Sequence, residues 1–247
     1  MRGRLPLTLL SFVALLALWQ VAAVTIDHRL LPPPWAVFTA VGSELTQGPL
    51  LYHTAITLAR VAASFVLAMV IGTAIGLVMG RLAGVDRLFD PWLVVFLNLP
   101  ALVVIVLAYV WFGLIEAAAV GAVAINKIPT VVVTVREGAR ALDRDLLQMA
   151  ESFRLSRWRT LRYVVMPQLY PYLMAAARSG LALIWKIVLV VELLGRPNGI
   201  GFQIHLFFQL FDVRMILAYT LSFIVVVQLI ELLALQPLER RLSRWRT

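Results

Sequence analysis

Cysteine is absent from the 247 residues, which excludes disulfides and thiolate metal sites and leaves the redox compartment unread. Charge is scarce: 14% of residues are Asp, Glu, Lys or Arg, 62% are hydrophobic, and the mean hydropathy is +0.90. A soluble domain carries nearer half apolar residues, so the chain reads as an all-α integral membrane protein. Acidic residues are outnumbered by basic ones, 13 to 22, for a net charge of +9. The basic residues flank apolar runs instead of forming a soluble basic domain, which argues for membrane topology and against nucleic acid as a partner. Histidine is limited to His28, His53 and His205, without ligand spacing, so no metal site is expected. No G-x-x-x-x-G-K-[ST] phosphate loop is present, so any ATP chemistry belongs to another subunit. There is no internal repeat, low-complexity tract or second domain, and residues 1–247 read as one membrane domain.

What the chain has is apolar runs long enough to cross a bilayer, which takes about 20 residues each. Six are expected, near 5–24, 52–80, 89–112, 115–135, 169–194 and 214–235, the last five forming a core over 52–235. The first follows Arg2 and Arg4 but is long and lacks a clear small-residue cleavage site, so it reads as a retained anchor helix and not a signal peptide. An even count puts both termini on one side. Fifteen arginines lie there (Arg2, Arg4, Arg81, Arg87, seven from Arg136 to Arg162, and Arg240, Arg241, Arg244 and Arg246), against Arg29, Arg196 and Arg214 opposite. That asymmetry orients both termini to the cytoplasm. The other four basic residues, Arg60, Lys127, Arg178 and Lys186, fall within or near the ends of spans.

Three features stand out along the spans. Ala68, Gly72, Gly76 and Gly80 recur every four residues, a face that another helix backbone can approach closely. Pro100, after Asn98 and Leu99, removes a backbone donor in mid-membrane and predicts a break or kink beside a cavity. The run LPPPW at 31–35 is polyproline-like and precedes an expected interfacial helix.

Between two apolar stretches lies an arginine-dense segment, 136–168, centred on QMAESFRLSRWRTLRYVVMPQLYP. Leu142, Leu146, Met149 and Phe153 follow an amphipathic helical stripe, with Arg144, Gln148 and Glu151 on other faces. Ser156 caps a second short helix through Trp158, Leu161, Val164 and Val165, which Pro167 is expected to end. The result is a helix-turn-helix elbow at the membrane surface. On charge alone it reads equally as an arginine-rich loop resting on anionic membrane lipid.

The run QMAESFRLSRW followed by VVMP resembles the EAA loop of permease subunits in binding-protein-dependent ABC importers, approximately EAAxxxGAS, then RW, then a proline. Ala150, Ser156, Arg157, Trp158 and Pro167 fit it. The resemblance extends through LPPPW, residues 57–81, 97–114 and 185–204, and points to the branch serving nitrate, taurine and aliphatic sulfonates. It implies a type I ABC importer permease fold in the inner membrane of a bacterium, with two permease subunits, most simply a homodimer. ATPase subunits carrying ATP and Mg bind below, and a periplasmic or extracellular substrate-binding protein delivers solute above. It also makes the elbow an ATPase-coupling site, with Leu146, Gln148, Met149, Ala150, Glu151, Phe153, Arg154, Ser156, Trp158 and Arg159 as its residues. Two positions depart from the pattern: Gln148 stands for glutamate and Arg154 for the turn glycine. Because glycine there suits a left-handed backbone, the elbow is expected to be reshaped, with Glu151 or Glu137 supplying acidic charge nearby.

Ionisable residues inside a membrane are default functional candidates. Lys127, Lys186 and Glu192 qualify, and with Asn98 and Pro100 they form the candidate substrate pathway, the lysines suiting an anion. A structural reading competes, in which Lys127 pairs with a carboxylate and Lys186 pairs with Glu192 of a neighbouring helix. Glu192, with the turn GRPNGIG, is a candidate organiser of an outer gate. A gradient-driven secondary transporter or channel is the first alternative, but paired intramembrane acids and inverted repeats are missing. A membrane enzyme lacks any convergent cluster of nucleophile, base or ligands. Within the importer reading, a small heterocyclic nutrient is the alternative to an anion.

Overall fold

The computed structural model describes residues 4–26, 28 and 30–237; Arg2, Arg29, Arg240, Arg241, Arg244 and Arg246 of the topology count lie outside the described residues. The helices are α1 (Arg4–Ile26), α2 (Pro34–Thr46), α3 (Leu50–Arg81), α4 (Ala83–Asn98), α5 (Ala101–Phe112), α6 (Glu116–Arg140), α7 (Arg144–Ser152), α8 (Arg157–Thr160), α9 (Met166–Gly195), α10 (Ile200–Gln209) and α11 (Val213–Ile230). Short π-helical turns cover Leu161–Val165 and Glu231–Leu235.

Among the described residues, four continuous helices are long and apolar enough to cross a membrane: 50–81, 116–140, 157–195 and 213–233. The pair α4–α5 passes the same test together but is bent by 96°, which makes five spans if the pair is one broken crossing. The bend falls where Pro100 was expected to break the helix. Pro100 caps α5 with φ −61° and ψ 131°, and the Asn98 amide donates back to the Val94 carbonyl at 2.8 Å. Helix α1 stands apart: its described apolar part, Leu10–Ile26, is shorter than a full span, and Leu10, Phe12, Val13, Leu15, Leu18 and Val21 are all exposed. Its Trp19 indole donates to the Pro32 carbonyl at 3.1 Å, tying it to the proline run.

Helices α3, α6 and α9 form the centre. The small-residue face of α3 is what lets α6 approach. A Cβ on Gly72 would lie 2.7 Å from Val131, and one on Gly76 would lie 2.8 Å from the Val132 carbonyl. Around this contact Val61, Ile105, Ala119, Val123, Ile184, Val188 and Tyr219 make one buried core. Since α6 enters the elbow and α9 leaves it, the bundle has an elbow end and a turn end, the latter carrying residues 196–199 between α9 and α10.

Pro167 does not end the second elbow helix. Helix continues without interruption from Arg157 to Gly195, 39 residues. The preceding turn is π-helical, with the Met166 N–H donating to the Leu161 carbonyl. That wider turn absorbs the register change a proline forces, where an α-helical turn would put the ring against the carbonyl four residues back.

Candidate functional site

The elbow is built by caps. The Asp143 carboxylate accepts from the N–H groups of Asp145 (2.8 Å) and Leu146 (3.4 Å), so α7 starts at Arg144 and not at Leu142. At its other end Arg154 adopts φ +50°. The Arg154 N–H donates to the Glu151 carbonyl (2.8 Å) and the Leu155 N–H to the Ala150 carbonyl (2.9 Å), the paired bonds of a Schellman termination. The expectation that arginine in place of glycine reshapes the elbow is therefore overturned: the left-handed turn is kept, and Arg154 carries its strain. Replacing Arg154 with glycine is expected to stabilise the permease by up to about 1 kcal/mol, the left-handed penalty being partly offset by glycine's larger unfolded entropy. Thermal unfolding of the purified protein reads this, and a destabilised variant would show that the arginine side chain outweighs the strain. As expected, Ser156 caps α8, accepting from the Arg159 N–H at 3.4 Å.

Sequence reasoning placed Leu142 on the docking stripe, but it is 8% exposed and belongs to a cluster with Ala139, Val165 and Leu169. It lies before the Asp143 cap, turned beneath the elbow. The Asp143 N–H also donates to the Gln168 side chain at 2.8 Å, so the elbow and the start of α9 are held as one body. What faces outward is Leu146 (39% exposed), Met149 (47%), Phe153 (75%) and Trp158 (68%), a run of apolar side chains too large to be incidental. Gln148, Glu151, Arg154 and Arg159 are exposed beside them, whereas Ala150 is buried. Glu137 is engaged elsewhere, paired with Arg140 at 2.9 Å. Arg136 and Arg140 in turn hold Asp86 and Asp90, locking α4 to α6 at this end.

The turn end carries an ion-pair ladder through α9, α3 and α6, buried at Glu192 and Arg60 and open at Glu116. Glu192, fully buried, accepts from the Arg60 guanidinium (2.7 Å), the Thr57 hydroxyl (2.9 Å) and the Gly201 N–H (2.9 Å). Arg60, 4% exposed, also grips Glu116 through two nitrogens at 2.9 and 2.7 Å. Glu116 then meets Arg196 at 2.5 Å. Arg60 further donates to the Asn198 backbone carbonyl at 2.8 Å and to its side chain. His53 accepts from the Gly199 N–H at 2.9 Å and contacts Gln203. The turn 196–199 is thus seated on the ladder, and Gly199 is needed there: its φ is +108°, and a Cβ would overlap the Glu192 carboxylate.

Glu192 does not pair with Lys186, as one sequence reading allowed, because Arg60 already occupies it and Lys186 lies on the exposed face of α9. Lys127 does not pair with a carboxylate either: it is 2% exposed and its Nζ has no hydrogen-bond partner. Asn98 and Pro100 are exposed at the α4–α5 bend. Arg60 is the residue that sequence reasoning missed. The sequence places it only among four basic residues within or near the ends of spans, although an arginine ten residues into a 32-residue apolar helix is itself the signal of a buried pair.

An elbow between two spans, joined to a helical bundle with one sharply bent helix pair, is matched by known proteins. Residues 68–243 match the family model described as "Binding-protein-dependent transport system inner membrane component". The chain belongs to this family. It is the multi-pass inner-membrane permease subunit of an ABC importer, non-catalytic, with the ATPase a separate subunit, and membership implies ATPase and binding-protein partners. The permease is 25% identical over 249 residues to the taurine transport system permease protein TauC of Escherichia coli, covering 98% of this chain and 90% of TauC. It is 31% identical over 245 residues to the riboflavin transport system permease protein RibX of Chloroflexus aurantiacus, covering 98% and 89%. Its fold matches a chain of the inward-facing MetNI methionine ABC transporter, with a TM-score of 0.70, 19% identity, and 82% of this permease and 100% of that chain covered.

Proposed function

We propose that two copies of this permease, with α1 as a sixth span and both termini cytoplasmic, form the pathway for a small anionic solute of the sulfonate or taurine type. The observation that carries this reading is the exposed face of α9, where Arg178, Ser179 and Lys186 point out of the bundle within the span. Arg178 reaches Glu231 at 3.7 Å, whereas Lys186 stands in the open. Lysine or arginine against hydrocarbon costs about 2.5–3.5 kcal/mol on insertion scales, so the face suits a watered pathway between two copies better than lipid. The similarity to TauC supports the solute class.

The whole of 1–247 acts as one permease domain, with the five-span core at 52–235 and the coupling loop at 136–168. Leu146, Met149, Phe153 and Trp158 enter a groove on the ATPase, while Gln148, Glu151, Arg154 and Arg159 form the rim; Ala150 and Ser156 hold the elbow's shape. ATP and Mg are bound by that ATPase, and the permease needs no cofactor of its own. Elbow movement passes to α9 as a rigid body. In the pathway, Lys186 meets the anion, the bend at Asn98 and Pro100 gives α4–α5 room to move, and Glu192 holds the outer turn as a gate.

The test of the solute is ATP hydrolysis by the assembled transporter, stimulated by its binding protein presented with taurine, ethanesulfonate or riboflavin. Stimulation by a sulfonate is expected. Stimulation by riboflavin alone would replace the anion with a heterocycle, the reading that the RibX similarity favours.

A further inference from the structure

Among the described residues, the buried cations are Arg60 and Lys127. Arg60 is answered by Glu192 and Glu116. Lys127 is answered by nothing: its Nζ is enclosed and makes no hydrogen bond. It sits eleven residues into α6, roughly 17 Å along the helix at 1.5 Å per residue, near mid-membrane. The acids of the ladder do not reach it, for Glu116 lies those same eleven residues away and Glu192 is twelve residues from the position on α9 that Lys127 touches.

That position is Gly180. A Cβ on Gly180 would lie 3.0 Å from the Lys127 Cε, 3.9 Å from its Nζ and 3.9 Å from the Phe65 ring. Lacking that Cβ, α9 presents a slot in which the end of the lysine stem rests. The next residue, Ser179, is exposed, as are Leu183 and Lys186 on the same side of the helix. The amine is therefore stored one residue away from the face read above as the pathway wall. An unpaired ammonium at this depth is unfavourable, and the described residues place no carboxylate against it.

We infer that Lys127 is a state-dependent anion-binding residue: it is sheathed in the Gly180 slot in this conformation and released into the pathway when α9 shifts against α6. Its ligand class is a small oxyanion, which it meets together with Lys186. The elbow supplies the movement, because Leu142, Val165 and Leu169 pack it onto the start of α9. This inference rests on α9's exposed face being the pathway wall.

The absence of cysteine from the chain makes the test direct. Lys127→Cys and, separately, Lys186→Cys are introduced into the full transporter, assembled with cysteine-free ATPase and binding protein. Each is reacted with an anionic methanethiosulfonate reagent in the nucleotide-free and the ATP–vanadate states. Lys186→Cys is expected to react in at least one state. Lys127→Cys is expected to react at least tenfold faster in one state than in the other. In parallel, Lys127→Met, which keeps the stem, is expected to cut taurine uptake at least tenfold with the complex still assembled, and Lys127→Arg to retain part of it. Equal, slow labelling of Lys127→Cys in both states beside a reactive Lys186→Cys overturns the inference alone, as does normal taurine uptake by Lys127→Met. Silence of Lys186→Cys in both states overturns the pathway reading and this inference with it.

Discussion

Replacing Arg60 with methionine is expected to destabilise the permease by roughly 3–5 kcal/mol, because the Glu192 carboxylate is left buried without a counter-charge. Methionine fills most of the arginine stem's volume, so lost packing is a small part of the effect. Arg60 contacts Glu192, Glu116 and Asn198 at once, and its removal unfastens the turn 196–199 from α3, α6 and α9 together. Glu116, 53% exposed and still facing Arg196, suffers far less than Glu192. Combining Arg60→Met with Glu192→Leu removes both charges and should recover part of the loss, with a coupling energy on the order of 2 kcal/mol. The Gly201 N–H, deprived of its acceptor, keeps the recovery incomplete. Unfolding in mixed micelles with increasing denaturing detergent measures the cycle. Additive single variants would mean that the pair is not an energetic unit.

Phe153→Asp is expected to weaken ATPase binding by about 2 kcal/mol or more, about thirtyfold in affinity, with the permease itself unharmed. Phe153 is 75% exposed beyond the last turn of α7, beside Met149 and ahead of Trp158. Exposure means that the fold does not depend on it; a large apolar side chain among five arginines is useful only when a partner covers it. The aspartate also puts charge where the groove must exclude water. Titrating detergent-solubilised permease with the ATPase reads the affinity, and unfolding of the free permease serves as the control. Undiminished affinity with Phe153→Asp would move the docking surface elsewhere.

Local chemistry made much of this legible in sequence. Pro100 announced the α4–α5 bend, the four-residue recurrence of Ala68, Gly72, Gly76 and Gly80 announced the α6 contact, and Ser156 announced its cap, because each acts through its own backbone or nearest neighbours. The ladder was not legible, since Arg60 and Glu192 are 132 residues apart and helical periodicity carries no information about which helix faces which. Leu142 shows the same limit on a smaller scale. It lies on the amphipathic stripe by spacing, but the Asp143 cap turns the chain there and sends it inward. Arg154 misled for a different reason: a preference for glycine at a left-handed position is a cost of about 1 kcal/mol, small enough for the two Schellman hydrogen bonds and the packed elbow to impose the turn on arginine.

The elbow is packed onto the start of α9, and α9 carries Glu192 of the ladder near its other end; the proposed function is that ATP hydrolysis in a separate subunit drives solute transport through this line. Uptake of radiolabelled taurine into proteoliposomes, with no ion gradient imposed, tests that claim most directly. Uptake is expected only when permease, ATPase, binding protein and Mg-ATP are all present, and it is expected to be lost with Phe153→Asp. Uptake by the permease alone under an imposed ion gradient, indifferent to ATP, would contradict the account.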